Sequence, residues 1–168
     1  MSAQANPKQA LRPFLPADAP MLADIFRAAV KELTADDYSA AQQDAWASFV
    51  DDEKEFAQQL AEGLTLVATL GGSPVGFALL RDATTIDMLY VHPAVAGQGI
   101  GSMLIDALEK LAGARGTKRL TVDASDSARG FFEQRGYVAQ QRNTVLRGGE
   151  WLANTTMAKD ITTRERAS

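Results

Sequence analysis

The sequence predicts a mixed α/β fold, and three observations carry that prediction. Helix-period and strand-period segments alternate, but without the regular βαβ winding of a doubly wound sheet. Three helical stretches precede three strand-like runs, and a Gly-rich turn then leads into another helix. Two more strand-like runs close the chain around Gly148-Gly149. The expected order is β-α-α-α-β-β-β-α-β-α-β-β.

Leu11 to Leu15 reads as a short extended segment. Asp18 follows as an N-cap, with Pro20 in the first turn of a helix. Leu22, Ile25, Phe26, Ala29, Val30 and Leu33 recur at helical spacing behind it. Ser39-Ala40-Ala41-Gln42 has the spacing of a capping box and starts a short second helix through Trp46. Asp52 and Glu55 start a third, which carries Phe56 and Leu60 and stops at Gly63. Leu64 to Leu70, Val75 to Leu80 and Thr84 to Val91 form three strands, the first two joined by Gly71-Gly72. Ile100, Met103, Leu104, Ala107, Leu108 and Leu111 mark an amphipathic helix. Arg119 to Asp123 is a strand, Ala128 to Arg135 a helix stopped by Gly136, and Tyr137 to Leu146 and Trp151 to Met157 are the closing strands.

At 168 residues the chain is about one domain long. That domain is expected over residues 10–160, with 1–9 and 161–168 as flexible polar tails. Hydrophobic residues make up 46% and charged residues 23%, enough apolar material for a core and against intrinsic disorder. The formal net charge is −4, and no basic run is present, so neither a nucleic acid nor a membrane surface is expected as a partner. The chain has no cysteine, which excludes disulfides, thiolate metal sites and a cysteine nucleophile. Its one histidine, His92, excludes a paired-histidine zinc motif, and no metal is expected. No stretch reaches the roughly 18 apolar residues of a membrane span. The N-terminus lacks the apolar core of a signal peptide, so a cytoplasmic location is expected.

Met88 to Leu104, MLYVHPAVAGQGIGSML, is the most informative stretch. A strand runs into glycines at 97, 99 and 101, and a helix follows at once. Such a turn brings backbone close to a ligand, and the helix start offers unpaired N–H groups to phosphate. The dinucleotide spacing fails at Ser102 and Leu104, and no Gly-Lys-Ser/Thr completes a Walker motif. A structural tight turn into the helix accounts for the same residues without a ligand.

The run Leu89-Tyr90-Val91-His92-Pro93 followed by Gly99-Ile100-Gly101 resembles motif A of the GNAT acyltransferase superfamily. Ala96 stands where that motif usually has Arg or Gln. Ala128, Phe131-Phe132-Glu133 and Gly136-Tyr137 are similar to the family's motif B. The resemblance covers roughly residues 10–160. It implies the GNAT acyl-CoA N-acyltransferase fold, with a mixed sheet splayed between strands four and five. It implies acetyl-CoA as co-substrate and direct attack by a primary amine in a ternary complex, without an acyl-enzyme.

The resemblance also implies site residues. Leu89, Tyr90 and Val91 would line the pantetheine arm, and Ala96, Gly97, Gln98, Gly99, Ile100, Gly101 and Ser102 the pyrophosphate, through the amides of Gln98 to Ser102. Ser125 would contact the cofactor or cap the following helix; Ala128, Phe131 and Phe132 would pack beside pantetheine, or Phe131 in the core. Asp87 is the candidate base, sharing a strand face with Leu89 and Val91 unless a bulge intervenes; the alternative is a strand aspartate facing solvent or a turn. Phe132 stands at the family's usual acid, a tyrosine, so Tyr90, Tyr137 or water would serve instead. His92 reads as a strand-exit residue rather than a base.

For the acceptor, Tyr38, Gln42 and Trp46 are candidate binding residues, with core packing as the alternative for Trp46. Asp36, Asp37 and Asp44 would favour a cationic amine or simply cap and solvate a helix. The acceptor would be a small-molecule or peptide amine, and the protein a monomer or homodimer. Two competing readings stand beside this one: a non-catalytic acyl-CoA-binding module, and a nucleotide-binding protein whose glycine turn holds ATP or NAD.

Overall fold

A computed structural model describes residues 8–161. The strands are β1 (Gln9–Pro13), β2 (Leu64–Leu70), β3 (Ser73–Arg81), β4 (Thr85–Val91), β5 (Arg119–Ser125), β6 (Val138–Arg147) and β7 (Glu150–Asp160). The helices are α1 (Ala19–Leu33), α2 (Ala40–Ala47), α3 (Glu53–Glu62), α4 (Ile100–Ala114) and α5 (Arg129–Gln134). The strands form one sheet in the order β1-β2-β3-β4-β5-β7-β6. Every pairing is antiparallel except β4 with β5, which is parallel, and the chain makes that crossover through α4.

Each face of the sheet carries its own core. Val67, Phe77, Leu79 and Met88 pack against Leu22, Ile25, Phe26 and Val30 of α1 and Phe56 and Leu60 of α3. Ala68, Ala78, Leu80 and Ile86 pack against Ile100, Leu104, Ile105 and Leu108 of α4, with Phe132 and Tyr137. Adjacent residues Val67 and Ala68 are both fully buried, one on each face, which is why β2 reads as a continuous apolar run.

Several local expectations change. The first strand begins earlier, because Gln9 pairs with Leu70 and Lys8 O accepts from Gly71 N–H. Ile161 N–H donates to Lys118 O, so residues 8, 9 and 161 are tied to the sheet; the expected tails over 1–7 and 162–168 lie outside the described residues. Asp18 does not cap α1. Its carboxylate takes both guanidinium nitrogens of Arg12 at 2.8 Å and the Leu15 N–H at 2.8 Å, clamping β1 to the start of α1. The capping box at Ser39 and Gln42 forms as expected, and Asp52 accepts from Glu55 N–H. Gly63 stands at the end of α3 as expected, but not in a left-handed turn: its φ is −100°, and a Cβ there would crowd Leu80 O at 3.1 Å and Leu79 Cδ1 at 2.3 Å.

Candidate active site

The site begins with a failure of pairing. β4 and β5 match only at Thr85 with Thr121 and Ile86 with Val122. Beyond Ile86 the strands part, and a cleft of about 770 Å³ opens between them. A bulge accompanies the parting. Leu79 faces Met88 while Leu80 faces Ile86, so Asp87 is the extra residue on β4.

The bulge corrects the expected parity. Ile86, Leu89 and Val91 pack on the α4 face, whereas Met88 and Tyr90 pack on the α1–α3 face. Asp87 does not share the face of Leu89 and Val91. Its carboxylate reaches α3, accepting from Gln59 Nε2 at 3.2 Å, and Arg81 Nε stands 3.6 Å away.

Backbone direction follows from the same ladder. His92 N–H donates to Val75 O at 2.8 Å, and alternation along an antiparallel pair then turns the Leu89 and Val91 amides away from β3, into the gap. The Tyr90 amide belongs to the β3 ladder, so Tyr90 meets the cleft through its ring.

The glycine turn closes one end. Gly97 and Gly99 hold φ of 82° and 85°, a region closed to most L-residues, and each would have open space around a Cβ. Conformation therefore requires glycine at these two positions. The first helical bond of α4 runs from Met103 N–H to Gly99 O, so the amides of Ile100, Gly101 and Ser102 have no backbone acceptor among the described residues. Gly97 and Gly99 N–H are likewise unpaired with backbone there. Gln98 departs from expectation, since its N–H already donates to Val95 O at 3.3 Å and its side chain lies outside the cleft. The arrangement presents unpaired amides at the positive end of a helix of 15 residues, a geometry suited to an anion.

The other end is walled by aromatic rings. Tyr90 lies 4.2 Å from Phe26 and 5.7 Å from Phe77, ring centroid to centroid. Trp46 Nε1–H donates to the Tyr90 hydroxyl at 3.2 Å, and Trp46 meets Tyr38 edge to face at 5.3 Å. Burial pushes the Tyr90 phenol up to about 12, so it keeps its proton at neutral pH. Its oxygen accepts from Trp46, which leaves its own O–H without a protein acceptor among the described residues.

Tyr38 and Gln42 turn out to be clamps. Tyr38 Oη donates to Ala153 O at 2.6 Å and accepts from Asp126 N–H at 2.9 Å, while its ring lines the cleft. Gln42 lies outside the cleft; its Oε1 accepts from Ser39 N–H and its Nε2 donates to Trp151 O at 2.7 Å. Together they hold the α2 region onto the β6–β7 hairpin.

The remaining expected residues divide by position. Ala96, Ile100, Ser102, Ala128 and Ser125 line the cleft, with Ser125 Oγ also accepting from Ala128 N–H at 3.1 Å. Phe131 is half-buried beside Gly101, where a Cβ would sit 3.5 Å from its ring. Phe132 is 2% exposed and reaches the cleft from within the core, against Tyr137. Tyr137 is on the wrong side for an acid: it lies outside the cleft and its hydroxyl donates to Glu109 at 2.8 Å. His92 Nδ1 accepts from Ala94 N–H and stabilises the turn after β4. Asp36, Asp37 and Asp44 lie outside the cleft; Asp44 pairs with Lys31 and Asp37 accepts from Ser127.

Sequence reasoning missed the hairpin's share. Val145, Arg147, Leu152, Ala153 and Asn154 line the cleft, although they follow Tyr38 by more than a hundred residues of chain. The one local signal was a charged strand end beside Gly148, a glycine whose Cβ would lie 3.1 Å from Ala45 Cβ of α2. Among the described residues no cluster of three or more His, Cys, Asp or Glu side chains is arranged to hold a metal ion, and no helix is long and apolar enough to cross a membrane.

Comparisons with known proteins identify the family and the fold. The model of the acetyltransferase (GNAT) domain family matches residues 34–161. The chain is 35% identical to the uncharacterised N-acetyltransferase YafP of Escherichia coli over 147 residues, 88% of this chain and 93% of that protein. A crystal structure of a GCN5-related N-acetyltransferase from Rhodopseudomonas palustris superposes with a TM-score of 0.90 at 61% identity, covering 95% of this chain and 99% of that one. The PaiA N-acetyltransferase of Thermoplasma acidophilum, solved with coenzyme A, shares the fold at 18% identity, with a TM-score of 0.78 and coverage of 91% and 99%.

Proposed function

The chain belongs to the GNAT family of acetyl-CoA-dependent N-acetyltransferases, and we propose that it acetylates a primary amine by direct attack within a ternary complex. The parting of β4 from β5 carries this reading, because it exposes strand amides beside a phosphate cradle in one continuous cleft. The residues present fit acetyl-CoA: unpaired amides at Gly97, Gly99, Ile100, Gly101 and Ser102 suit a pyrophosphate, and the Leu89 and Val91 amides suit an amide-bearing arm.

When bound, acetyl-CoA supplies an electrophilic thioester carbonyl. A β4 N–H donates to its oxygen, where negative charge develops as the C–N bond forms. Asp87 receives the proton that the substrate ammonium must lose, directly or through water. Tyr90 donates a hydrogen bond to the departing sulfur. With the phenol at about 12 and a thiol near 8.5, full proton transfer from Tyr90 is uphill, so the phenol stabilises the thiolate without surrendering its proton. Trp46 and Phe26 hold the ring in place.

Calorimetric titration of acetyl-CoA, with ATP and NAD as controls, tests the cofactor half of this reading. Saturable binding of acetyl-CoA alone is expected, and tighter binding of ATP or NAD would overturn it. Amine-dependent release of free thiol tests the chemistry. Phe132, a ring with no proton at the family's usual acid position, favours the second reading of a non-catalytic acyl-CoA-binding module. That reading predicts acetyl-CoA binding without turnover on any amine.

A further inference from the structure

The charged side chains lining the cleft are Arg81, Asp87, Asp123 and Arg147. Three of them are engaged within the protein. Arg81 Nε faces Asp87 at 3.6 Å, and its other end faces Asp82 at 3.7 Å. Asp123 accepts from the Thr156 hydroxyl at 2.6 Å. Arg147 is different: its guanidinium donates only to the carbonyl of its neighbour Leu146, at 3.3 Å, and no carboxylate among the described residues lies within ion-pair distance of it. Glu150, its partner across the hairpin, makes no ion pair with it.

The fold places this cation at the acceptor end. Arg147 ends β6 next to Gly148, which packs on Ala45 of α2, one residue from Trp46. Asp87 lines the same cleft from the β4 bulge. Tyr90 lines it too, and the two charges act on its phenol in opposite senses. The walls around them, Phe26, Leu33, Phe49, Trp46 and Val145, are apolar.

We infer that the acceptor is an aminocarboxylate with an apolar body: its amine faces Asp87 and its carboxylate is received by Arg147. The inference rests on the acetyltransferase reading and deepens it. A guanidinium fork matches a carboxylate with two parallel hydrogen bonds, which neither a carboxamide nor a neutral amine reproduces. Arg147 is thus a specificity residue for acceptor binding. Asp87 provides the opposite pole, so the cleft selects a zwitterion by its two ends and an apolar side by its walls.

The test is a set of matched pairs in the thiol-release assay. Leucine, phenylalanine and 6-aminohexanoate are each compared with their carboxamides, using wild type, Arg147→Gln and Arg147→Lys. In wild type, kcat/KM for the best acid exceeds that for its amide by at least about tenfold. Arg147→Gln loses that preference through a rise in KM, with kcat and acetyl-CoA affinity unchanged, and Arg147→Lys keeps part of it. Equal use of acid and amide by wild type, or a preference that survives in Arg147→Gln, overturns the inference while leaving the acetyltransferase reading in place. Turnover confined to neutral amines or polyamines does the same. Absence of thiol release with every amine, while acetyl-CoA still binds, overturns both. The wild-type comparison needs no variant to fold.

Discussion

Where the Gly-rich turn meets α4, the cleft is lined by Gly97, Gly99, Ile100, Gly101 and Ser102, whose amides have no backbone acceptor among the described residues; Gln98 N–H is committed to the turn itself. At the opposite end it is lined by side chains gathered from α1, α2, β4 and the β6–β7 hairpin. In the proposed function the first half binds through groups that every residue carries, so its sequence requirement is conformational: glycine where φ is positive. The second half, as proposed, binds through ring faces and charges, so its requirement is chemical identity at positions distant in the chain. A family can hold the first half constant and change its acceptor by altering the second. The two halves should therefore fail differently when broken.

The largest effect is expected at Gly101. It carries no positive φ, and a Cβ there makes ordinary contact with Phe131 and Val91, so a large side chain fills the cleft mouth without straining the backbone. Gly101→Trp is expected to weaken acetyl-CoA binding by about a hundredfold or more by calorimetry, while the thermal midpoint moves by only a few degrees. Binding that survives this change would remove the cradle from the cofactor site.

Next comes the boundary between the halves. Asp87→Asn keeps the shape and the Gln59 contact but removes the charge. Turnover is expected to fall about a hundredfold with acetyl-CoA affinity unchanged, as for loss of a general base. An unaltered pH–rate profile in that variant would remove Asp87 from the role.

Tyr90→Phe sharpens the contrast further. The ring contacts with Phe26 and Phe77 persist, and only the hydroxyl shared with Trp46 is lost. Turnover should fall by about tenfold or less, because one hydrogen bond to the leaving sulfur is removed. With the phenol near 12, the wild-type rate should show no inflection from Tyr90 below about pH 10. Such an inflection, absent in Tyr90→Phe, would show full proton donation instead.

The smallest effect lies outside both halves. The Arg12 guanidinium and the Leu15 N–H hold the Asp18 carboxyl below its ordinary value. A lowered folded-state value stabilises the protein above the unfolded value near 3.9, and that contribution is lost as pH falls through the folded value. Asp18→Asn should lower the thermal midpoint at pH 7 by a few degrees, and the difference from wild type should shrink below about pH 3.9. Acetyl-CoA affinity and turnover should not change.

Much of the fold was legible from pattern. α1 and α4 declare themselves by apolar residues at helical spacing, and the Ser39–Gln42 box forms as its spacing predicts. The glycines at 97 and 99 identify a turn that only a left-handed backbone can make. These features are local: their causes lie within a few residues of their effects. Gly63 follows the last residue of α3, as its place in the sequence predicts. Asp18 departs from expectation for the converse reason: an acid ahead of a helix looks the same in sequence whether it caps that helix or pairs with another element, and Arg12 decides the case.

By itself, then, the sequence determined the alternation of elements, the left-handed glycine turn ahead of α4 and the absence of cysteine chemistry, because periodicity, positive φ and composition are properties of short stretches. Tertiary structure alone decided which way Asp87 points, since one extra residue in β4 reverses the side-chain alternation and no local pattern announces it. It alone set Tyr137 against Glu109 and away from the cleft. It alone brought Arg147 to the cleft that Tyr90 lines, because that requires the last hairpin to fold back over α2, a contact whose two sides lie about a hundred residues apart.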